Sequence, residues 1–388
     1  MSGGVAPLVS IITPALNSAN YIEKTIQSVM RQNYISIEHI VVDGGSIDGT
    51  LDILSRYPHL TWISEPDHGQ SDALNKGFRM ARGDFIGWLN ADDTYEPGAI
   101  AAVVSFLAGN PDVSLVYGNC NIIDENDAVK YIQRPPKFNI RRELIAHNLP
   151  QPASFFRSSA LRAVDYLDDS LHFVMDWDLY LRLGISHRIH NVDATWANFR
   201  EYRGTKTVEH PECFWIEALR MFDCFFARRD LPSSVYAVKT QAYARALWMA
   251  GTLCLAVSSG TAQDAGRRYC NEAIQTYPLV KRETGFMLAQ LTHCGVSMVG
   301  PRLAESYVQD VVTNLVPLSE VAKKHLLNRA LGHLFASMAL VRQDFRRTDL
   351  DLWRRWLWKS IRNDARWLRN GGIVSLVMRE VLDRRAGL

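Results

Sequence analysis

Apolar residues in positions 1–130 fall into short runs, separated by segments in which they recur every three or four positions. Ile22, Ile26 and Val29, for example, have the spacing of an amphipathic helix. Strands that alternate with helices of this length form a mostly parallel sheet with helices on both faces. The pattern therefore predicts an α/β fold with a mostly parallel, doubly wound sheet. The predicted strands cover residues 8–13, 37–43, 60–65, 85–91 and 113–124.

The pattern changes beyond residue 130. Residues 150–207 mix short strand-like and helix-like segments, and the sequence after residue 208 is almost entirely helical in spacing. We therefore predict a sheet-containing domain over residues 1–207 and an appended all-α domain over residues 208–388, which suits a chain of 388 residues. The predicted C-terminal helices cover residues 211–226, 234–258, 262–276, 319–342, 348–369 and 373–385.

Oxygen-bearing side chains follow each of the first four predicted strands. In open α/β sheets, ligands bind beyond the carboxyl ends of the strands. So much negative charge beside an apolar core needs a partner, and a divalent cation that shares the site with a phosphate would supply one. The alternative is that the acids only cap helices and shape turns. The side chains are Thr13 and Asn17, Asp43 and Ser46, Glu65 and Asp67, and Asn90, Asp92 and Asp93.

Several classes of protein are disfavoured by the motifs and charge of the chain. No GxGxxG follows the first predicted strand and no GxxxxGK[ST] occurs, which argues against a dinucleotide-binding dehydrogenase and a P-loop enzyme. A net charge of +2 argues against nucleic-acid binding. The six Cys form no CxxC, and neither a secretory signal nor an apolar run of 18 residues occurs, so a reduced, cytoplasmic location is expected.

Five blocks of the first 207 residues, taken in order, resemble the inverting glycosyltransferases of family 2. The resemblance extends over about half of the chain. It implies a GT-A fold, a nucleotide-sugar donor, of which a UDP-sugar is favoured, and a divalent metal ion, Mn²⁺ or Mg²⁺. The blocks are VSIITPALNSANYIEKTIQSV, HIVVDGGSIDGT, EPDHGQSDALNKGFRMARGDFIGWLNADD, DWDLYLRLG and ANFREYRGTKT.

Carried over by position, the resemblance assigns roles to individual residues. Residues 90–92 occupy the position of the family's DxD motif, and Asp92 and Asp93 would hold the metal ion. Asp176 aligns with the catalytic base of the family's ED-type motif, in which Met175 replaces the usual Glu. The residues implied to bind the nucleotide sugar are Thr13, Pro14, Ala15, Asn17, Asp43, Gln70, Asn75, Lys76, Asn90, Ala91 and Arg200.

Three residues depart from the family pattern, namely Asn90 in place of Asp, Met175 in place of Glu, and Tyr202 where relatives often have His. An amide at position 90 can still accept and donate hydrogen bonds. The departures keep open the alternative of a non-catalytic relative that binds a nucleotide sugar or recruits partners. A nucleotidyltransferase is a second alternative, but the first strand is not followed by the glycine-rich loop with Arg and Lys that such enzymes usually carry.

Aromatic and basic residues alternate in WRRWLWK at residues 353–359. One interpretation is a helix that rests on anionic lipid at the inner face of the membrane, which would suit a lipid-linked acceptor. The other is a packed helix with a basic outer face. The chain lacks the QxxRW motif and the spanning helices of the family's processive synthases, so we expect transfer of one sugar to a glycan, lipid-linked or small-molecule acceptor. The oligomeric state does not follow from the sequence.

Overall fold

The structure is a computed structural model that describes residues 6–257, 260–341 and 349–385. Contacts divide the chain into two units. The first comprises Met1–His210 and Arg220–Lys239, and the second comprises Pro211–Leu219 and Thr240–Leu388. The predicted domain boundary after residue 207 stays a prediction.

The strands of the first unit form one mixed sheet. In the described part of the chain its order is β3-β2-β1-β4-β8-β6-β9-β5, and β7 pairs with β6. All five strands expected from the apolar runs are present, as β1, β2, β3, β4 and β6. The strands are β1 (Val9–Ala15), β2 (Ile37–Asp43), β3 (Thr61–Ser64), β4 (Phe85–Trp88), β5 (Thr94–Tyr95), β6 (Val113–Ile123), β7 (Val129–Gln133), β8 (Ser154–Arg157) and β9 (Arg188–Arg200).

The helices of the described residues alternate with the strands at first and then follow one another. They are α1 (Ile22–Met30), α2 (Thr50–Ser55), α3 (Gln70–Met80), α4 (Ala99–Gly109), α5 (Ile140–Ile145), α6 (Ser158–Ala163), α7 (Met175–Ser186), α8 (Lys206–Glu209), α9 (Pro211–Phe226), α10 (Ser233–Tyr236), α11 (Lys239–Val257), α12 (Thr261–Thr276), α13 (Leu279–Arg282), α14 (Thr284–His293), α15 (Ala304–Thr313), α16 (Glu320–Val341), α17 (Leu350–Asn363) and α18 (Gly371–Arg385).

Parallel pairing is confined to part of the sheet. The strands β3, β2, β1 and β4 are parallel to one another, and β6 is parallel to β9. β8 is antiparallel to both β4 and β6, and β7 and β5 are also antiparallel to their partners. The α/β fold is confirmed, but the predicted "mostly parallel" sheet is parallel chiefly in its first half, since β8 enters between two strands in the opposite direction.

The register of the parallel strands brings their carboxyl ends to one edge of the sheet. Ala15 pairs with Asp43, Asp43 with Ser64, and Ile12 with Trp88. The chain continues this edge beyond β4, where the N–H of Leu89 donates to the carbonyl of Ile12 at 3.0 Å. The polar segments that follow β1 to β4 are therefore neighbours in space.

The second unit has an apolar core built from helices. Trp248, Phe335 and Trp353 are buried in it, and Cys294–Val299 form a π-helical stretch after α14. The predicted C-terminal helices are confirmed as α9, α10 with α11, α12, α16, α17 and α18, although residues 258, 342 and 348 of those predictions lie outside the described residues. Among the described residues, every helix is too short or too polar to span a bilayer.

Helices α13, α14 and α15 were not predicted from the sequence. They lie between Pro278 and Pro317, and Gly300 and Pro301 separate α14 from α15. Proline and glycine signal turns, so these residues favour the interpretation of the whole region as loop.

Gly77→Ala tests the close packing of α3 on β1. A Cβ at Gly77 would lie 2.3 Å from Cγ2 of Ile12. Alanine favours the helix by up to about 1 kcal/mol, but overpacking a core costs about 1–3 kcal/mol. We expect the unfolding free energy from chemical denaturation to fall by about 1–2 kcal/mol.

Gly109→Ala, at the end of α4, is the matched control. Among the described residues, its added Cβ meets no atom within 4 Å beyond its own helix and chain neighbours, so this variant should be neutral or slightly stabilised. Equal stability of the two variants would contradict the close contact at Gly77.

Candidate active site

A cleft of about 600 Å³ lies at the polar edge of the sheet. Its walls come from the segments that follow β1, β3 and β4, the start of α7, and the residues after β9. The cleft brings together most of the predicted site residues. Those that line it are Pro14, Ala15, Asn17, Gln70, Asn90, Ala91, Asp92, Asp176 and Arg200.

Three other predicted donor-binding residues make contacts away from the cleft lining. Thr13 is buried and its hydroxyl lies 2.9 Å from Nε2 of His39, whose pKa burial lowers to about 3. The Asn75 amide forms a pair of hydrogen bonds with the backbone of Leu167, at 2.9 and 3.0 Å. Lys76 forms an ion pair with Glu65 at 2.9 Å and another with Asp72, one turn earlier in α3. Their predicted roles in donor binding stay predictions.

Asp43, also predicted to bind the donor, is fully buried and shapes its own loop. Its carboxylate accepts hydrogen bonds from the N–H groups of Gly45 and Ser46, at 3.0 and 2.9 Å, and from the Ser64 hydroxyl at 2.7 Å. The Ser46 hydroxyl also donates to it. The role of Asp43 toward a nucleotide base stays a prediction.

The loop after β2 is tied to the end of β1 through Asn17. The Asn17 side-chain oxygen accepts from the N–H of Ile47 at 3.0 Å, and its own N–H donates to the Ser46 hydroxyl at 2.7 Å. Asn17 has a positive φ of 49°, which asparagine tolerates better than most residues. This pair of contacts fixes the polar wall of the cleft on the β1 side.

Asn90 shows why an amide follows the apolar strand. Its oxygen accepts from the Trp88 indole N–H and the Gln70 amide, both at 2.8 Å. Its nitrogen donates to Gln151 at 3.1 Å and, more weakly, to Asp93 at 3.4 Å. A carboxylate could make the first two contacts but neither of the last two, because it has no N–H to donate.

Asp92 and Asp93 form the most highly charged part of the site. Burial raises the pKa of Asp92 above its ordinary value, although Arg200 and Tyr202 lower it. Burial and then the Asp92 charge raise the pKa of Asp93 well above its ordinary range. Asp93 is completely buried and accepts from the N–H of Arg200 at 2.9 Å, whereas Asp92 reaches the cleft.

Arg200 is the buried cation beside these acids. It is 1% exposed and donates to the carbonyls of Asp92 and Asp124, each at 2.9 Å, and its Nη2 lies 2.6 Å from Asp127. The guanidinium carbon also lies 4.6 Å from the centre of the Tyr21 ring. Arg200 thus fixes the turn that carries Asp92, directly behind the surface of the cleft.

Tyr202 occupies the position at which relatives often have His. Its hydroxyl lowers the pKa of the Asp92 carboxyl, and its ring packs on Tyr21 with centroids 5.0 Å apart. Burial, followed by the nearby Asp92 charge, raises the pKa of Tyr202 to about 12. The side chain is therefore a neutral polar neighbour of Asp92 near neutral pH.

The donor set of the site fits a divalent ion only in part. In the described chain, no three His, Cys, Asp or Glu side chains come together as a metal cage. Mg²⁺ commonly uses one or two carboxylates and completes its shell with substrate phosphates and water, which suits the cleft-lining Asp92. The predicted metal roles of Asp92 and Asp93 stay predictions, and the geometry favours Asp92 because the Asp93 carboxylate is engaged inside the protein.

Asp176, the predicted base, stands at the start of α7 and lines the same cleft as Asp92. Its Oδ1 accepts from the N–H of Trp177 at 2.8 Å, and its side chain is 16% exposed. The other oxygen lies 3.5 Å from Nε2 of His147.

Three residues that line the cleft are absent from the predicted site, namely Lys206, Gln151 and Phe173. Lys206 donates to Gln70 at 3.2 Å and to the carbonyl of His172, and its ammonium lies 5.1 Å from the Phe173 ring centre. Gln151 binds the carbonyl of Trp88 at 2.6 Å. Phe173 belongs to none of the recognised blocks, so no sequence signal could have marked it.

Hydrogen bonds attach helix α3 to the segment that leads to Asp176. The Ser71 hydroxyl donates to the carbonyl of Leu171 at 2.6 Å, and Asn75 holds the backbone of Leu167. Gln70, at the start of the same helix, contacts Asn90. One short helix therefore connects the acidic strand end with the approach to Asp176.

Comparison with known proteins agrees with this architecture. A sequence model of the family described as "Glycosyl transferase family 2" matches residues 10–165. An uncharacterized glycosyltransferase of Mycobacterium tuberculosis strain H37Rv is 34% identical over 185 residues, which are 46% of this chain and 70% of that protein. The chain belongs to glycosyltransferase family 2.

Two further comparisons concern a relative with a named activity and a solved structure. Chondroitin synthase of Pasteurella multocida strain Pm70 is 28% identical over 182 residues, which cover 46% of this chain but only 19% of the synthase. The crystal structure of S. aureus TarS 1–349 in complex with UDP-GlcNAc has a TM-score of 0.57 at 18% identity and covers 79% of this chain and 89% of the TarS chain. The GT-A-type fold expected from the sequence is thereby confirmed.

Asn90→Asp tests the amide at the strand end. The new carboxylate can no longer donate to Gln151 and would repel Asp93, so buried groups lose partners at a cost of about 1–3 kcal/mol. We expect a lower melting temperature at pH 7.5 in EDTA, with part of the loss recovered in millimolar Mn²⁺, measured by differential scanning fluorimetry.

Asn126→Asp makes the same chemical change in an exposed turn and serves as the control. It should leave the melting temperature unchanged in both conditions. An Asn90→Asp protein as stable as this control would show that the hydrogen-bond network around position 90 is not needed.

Proposed function

We propose that this family member transfers one hexose-type sugar, with inversion, from a nucleotide-sugar donor to an acceptor hydroxyl. The observation that supports this most directly is the cleft itself, which has the Asp92 carboxylate in one wall and the Asp176 carboxylate in another. Inverting transfer is a single in-line displacement, so charge stabilisation and the base belong on opposite sides of the sugar.

The donor diphosphate would lie beside Asp92, and Arg200 and Lys206 also line the cleft. Asp92 would hold a Mn²⁺ or Mg²⁺ ion, which when bound supplies Lewis-acid stabilisation of the leaving diphosphate. The Tyr202 phenol stabilises the Asp92 carboxylate, and the hydrogen bonds of the Asn90 amide fix the turn that carries Asp92. A UDP-sugar is the favoured donor because of the family resemblance around Asp43.

Asp176 would remove the proton from the acceptor hydroxyl as the new bond forms. Its carboxylate lines the cleft at the start of α7 and lies beside His147, which is a position from which a base can reach a bound acceptor. The chondroitin synthase relative suggests a growing glycan as the acceptor, with a lipid-linked saccharide or small molecule as other members of the same hydroxyl class. All six cysteines are free, which supports a reducing, cytoplasmic setting.

Asp176→Asn tests the base on the full-length protein. A panel of UDP-, GDP- and dTDP-sugars is first screened by thermal shift with and without Mn²⁺, since a ligand that binds the folded state raises its stability. Hydrolysis of the panel sugar with the largest shift is then measured. We expect Asp176→Asn to keep the thermal shift and to lose about 10²–10⁴-fold in turnover, the usual contribution of a positioned base.

Asp169→Asn, an exposed acid before α7, is the matched control and should retain full turnover. Equal, negligible turnover in wild type, Asp169→Asn and Asp176→Asn, with the thermal shift intact, would favour the non-catalytic relative. The absence of any thermal shift across the panel would contradict nucleotide-sugar binding altogether.

We also propose a peripheral contact between α17 and anionic membrane lipid. The inner face of α17 packs Trp353, Trp356 and Leu357 into the core, as a packed helix would. Its outer face carries basic residues at helical spacing and Trp358, which is 42% exposed. The outer-face residues are Asp351, Arg354, Arg355, Trp358, Lys359 and Arg362.

This contact predicts binding to lipid vesicles that contain phosphatidylglycerol and weaker binding to pure phosphatidylcholine. The variant with Arg355→Glu and Trp358→Ser should reduce sedimentation with the anionic vesicles, because it removes basic charge and the interfacial ring. Lys281→Glu, an exposed charge reversal in the same unit, is the control. Equal sedimentation of the variant and control, or of the wild type with both vesicle types, would contradict the proposal.

A further inference from the structure

Asp176 is one end of a chain of three ionisable side chains. Nε2 of His147 lies 3.5 Å from Oδ2 of Asp176, and Nδ1 of the same ring lies 2.6 Å from Oε1 of Glu143. The side chains of Asp176, His147 and Glu143 are 16%, 15% and 4% exposed, so Glu143 is the most buried end of the chain. His147 is absent from the cleft lining, whereas its neighbour Asp176 belongs to it.

The protein holds the His147 ring from several sides. The ring stacks on Trp177, with centroids 5.3 Å apart, and on Tyr180, at 6.1 Å. Glu143 is itself fixed, because its carboxylate accepts from the N–H of Asn148 at 3.2 Å and its carbonyl accepts from the Trp177 indole at 3.0 Å. The position of the imidazole is thus set by both α5 and α7.

Both ring nitrogens of His147 face carboxylates, and this determines the protonation state that fits. A neutral imidazole has one N–H and one lone pair, so one of its nitrogens would face a carboxylate without a proton. The imidazolium can donate to both carboxylates. Burial disfavours this charged form, but Asp176 and Glu143 outweigh the effect and raise the pKa of His147 to about 10.

The titratable groups around the ring include Glu143 from α5, Asp176 and Tyr180 from α7, and Tyr117 from β6, which lies near Glu143. Burial raises the pKa values of both phenols, so they remain neutral in the physiological range. The cluster then carries two negative charges and one positive charge. Without the imidazolium, two carboxylates would remain in a weakly solvated space.

We propose that His147, held by Glu143, is a positioning residue that keeps Asp176 ionised and directed into the cleft. The inference rests on the proposed function, in which Asp176 is the base. Asp176 receives one hydrogen bond from the backbone of its own helix, and His147 fixes the opposite oxygen. The acceptor hydroxyl therefore meets a carboxylate of defined orientation, and its proton goes to Asp176 while His147 keeps its own.

His147→Gln tests this on the full-length protein with the panel sugar that gives the largest thermal shift. Glutamine can donate hydrogen bonds only from its single amide nitrogen and carries no charge. We expect an unchanged donor thermal shift, and we expect the acidic limb of the kcat/KM profile to move up by about one pH unit, because a cation at this distance favours the ionised carboxylate. Turnover at a pH well below this limb should fall by about tenfold, and turnover on the plateau should be retained.

His187→Gln, the same exchange at a half-buried position after α7 that does not line the cleft, is the matched control and should keep the wild-type profile. Glu143→Gln is the second variant and leaves His147 in place. It should weaken the hold on the imidazolium, so that activity also declines on the alkaline side as His147 loses its proton within the measured range.

The charge of His147 has a readout that does not depend on turnover. Its folded pKa of about 10 lies above the ordinary value of 6.5. The stability that it contributes is thus complete below pH 6.5 and is lost as the pH rises through about 10. The difference in denaturation midpoint between wild type and His147→Gln should shrink across this window, and NMR titration of the histidine rings should show one imidazole protonated beyond pH 9.

The outcomes separate the two proposals. If the acidic limb does not shift in His147→Gln while Asp176→Asn is inactive, the positioning role of His147 is overturned. The role of Asp176 as the base is then retained. Full turnover of Asp176→Asn overturns the base, and the NMR titration still reports the ion pair. A ring that titrates near pH 6.5 overturns the inference by itself.

Discussion

Two adjacent carboxylates at the end of an apolar strand impose the main constraint on the first unit. Asp92 and Asp93 follow a strand whose residues are all buried, and the Asp92 charge makes ionisation of Asp93 harder. Three neighbours offset this negative charge: the charge and backbone N–H of Arg200, the Tyr202 phenol, and an amide rather than a third acid at Asn90. These contacts link the ends of β4 and β9, which lie far apart in the sequence.

The sequence allowed the catalytic half of the fold to be predicted because local signals agree there. Alternating strands and helices, polar strand ends and five ordered blocks all point to the same architecture. What could not be predicted are contacts between distant segments. Asn75 matched a family position for donor binding, yet its amide is engaged by Leu167, 92 residues away. No local pattern encodes that pairing.

The site residues likewise divide into those that stand in sequence motifs and those that only the fold brings together. Asp92 and Asp176 were found because they stand in motifs, and the structure brings both to one cleft. His147 and Glu143 stand in none, and only the fold brings them behind Asp176. The direction of β8 was missed for the same reason, since the pairing of a short strand depends on its neighbours in space rather than on its own residues.

The attachment of α3 has a mechanical consequence. Through Ser71 and Asn75 this helix grips the backbone at Leu171 and Leu167, and its first residue bonds to Asn90. The turn that carries Asp92 and the segment that leads to Asp176 are therefore anchored to the same helix, which couples the positions of two parts of the cleft lining.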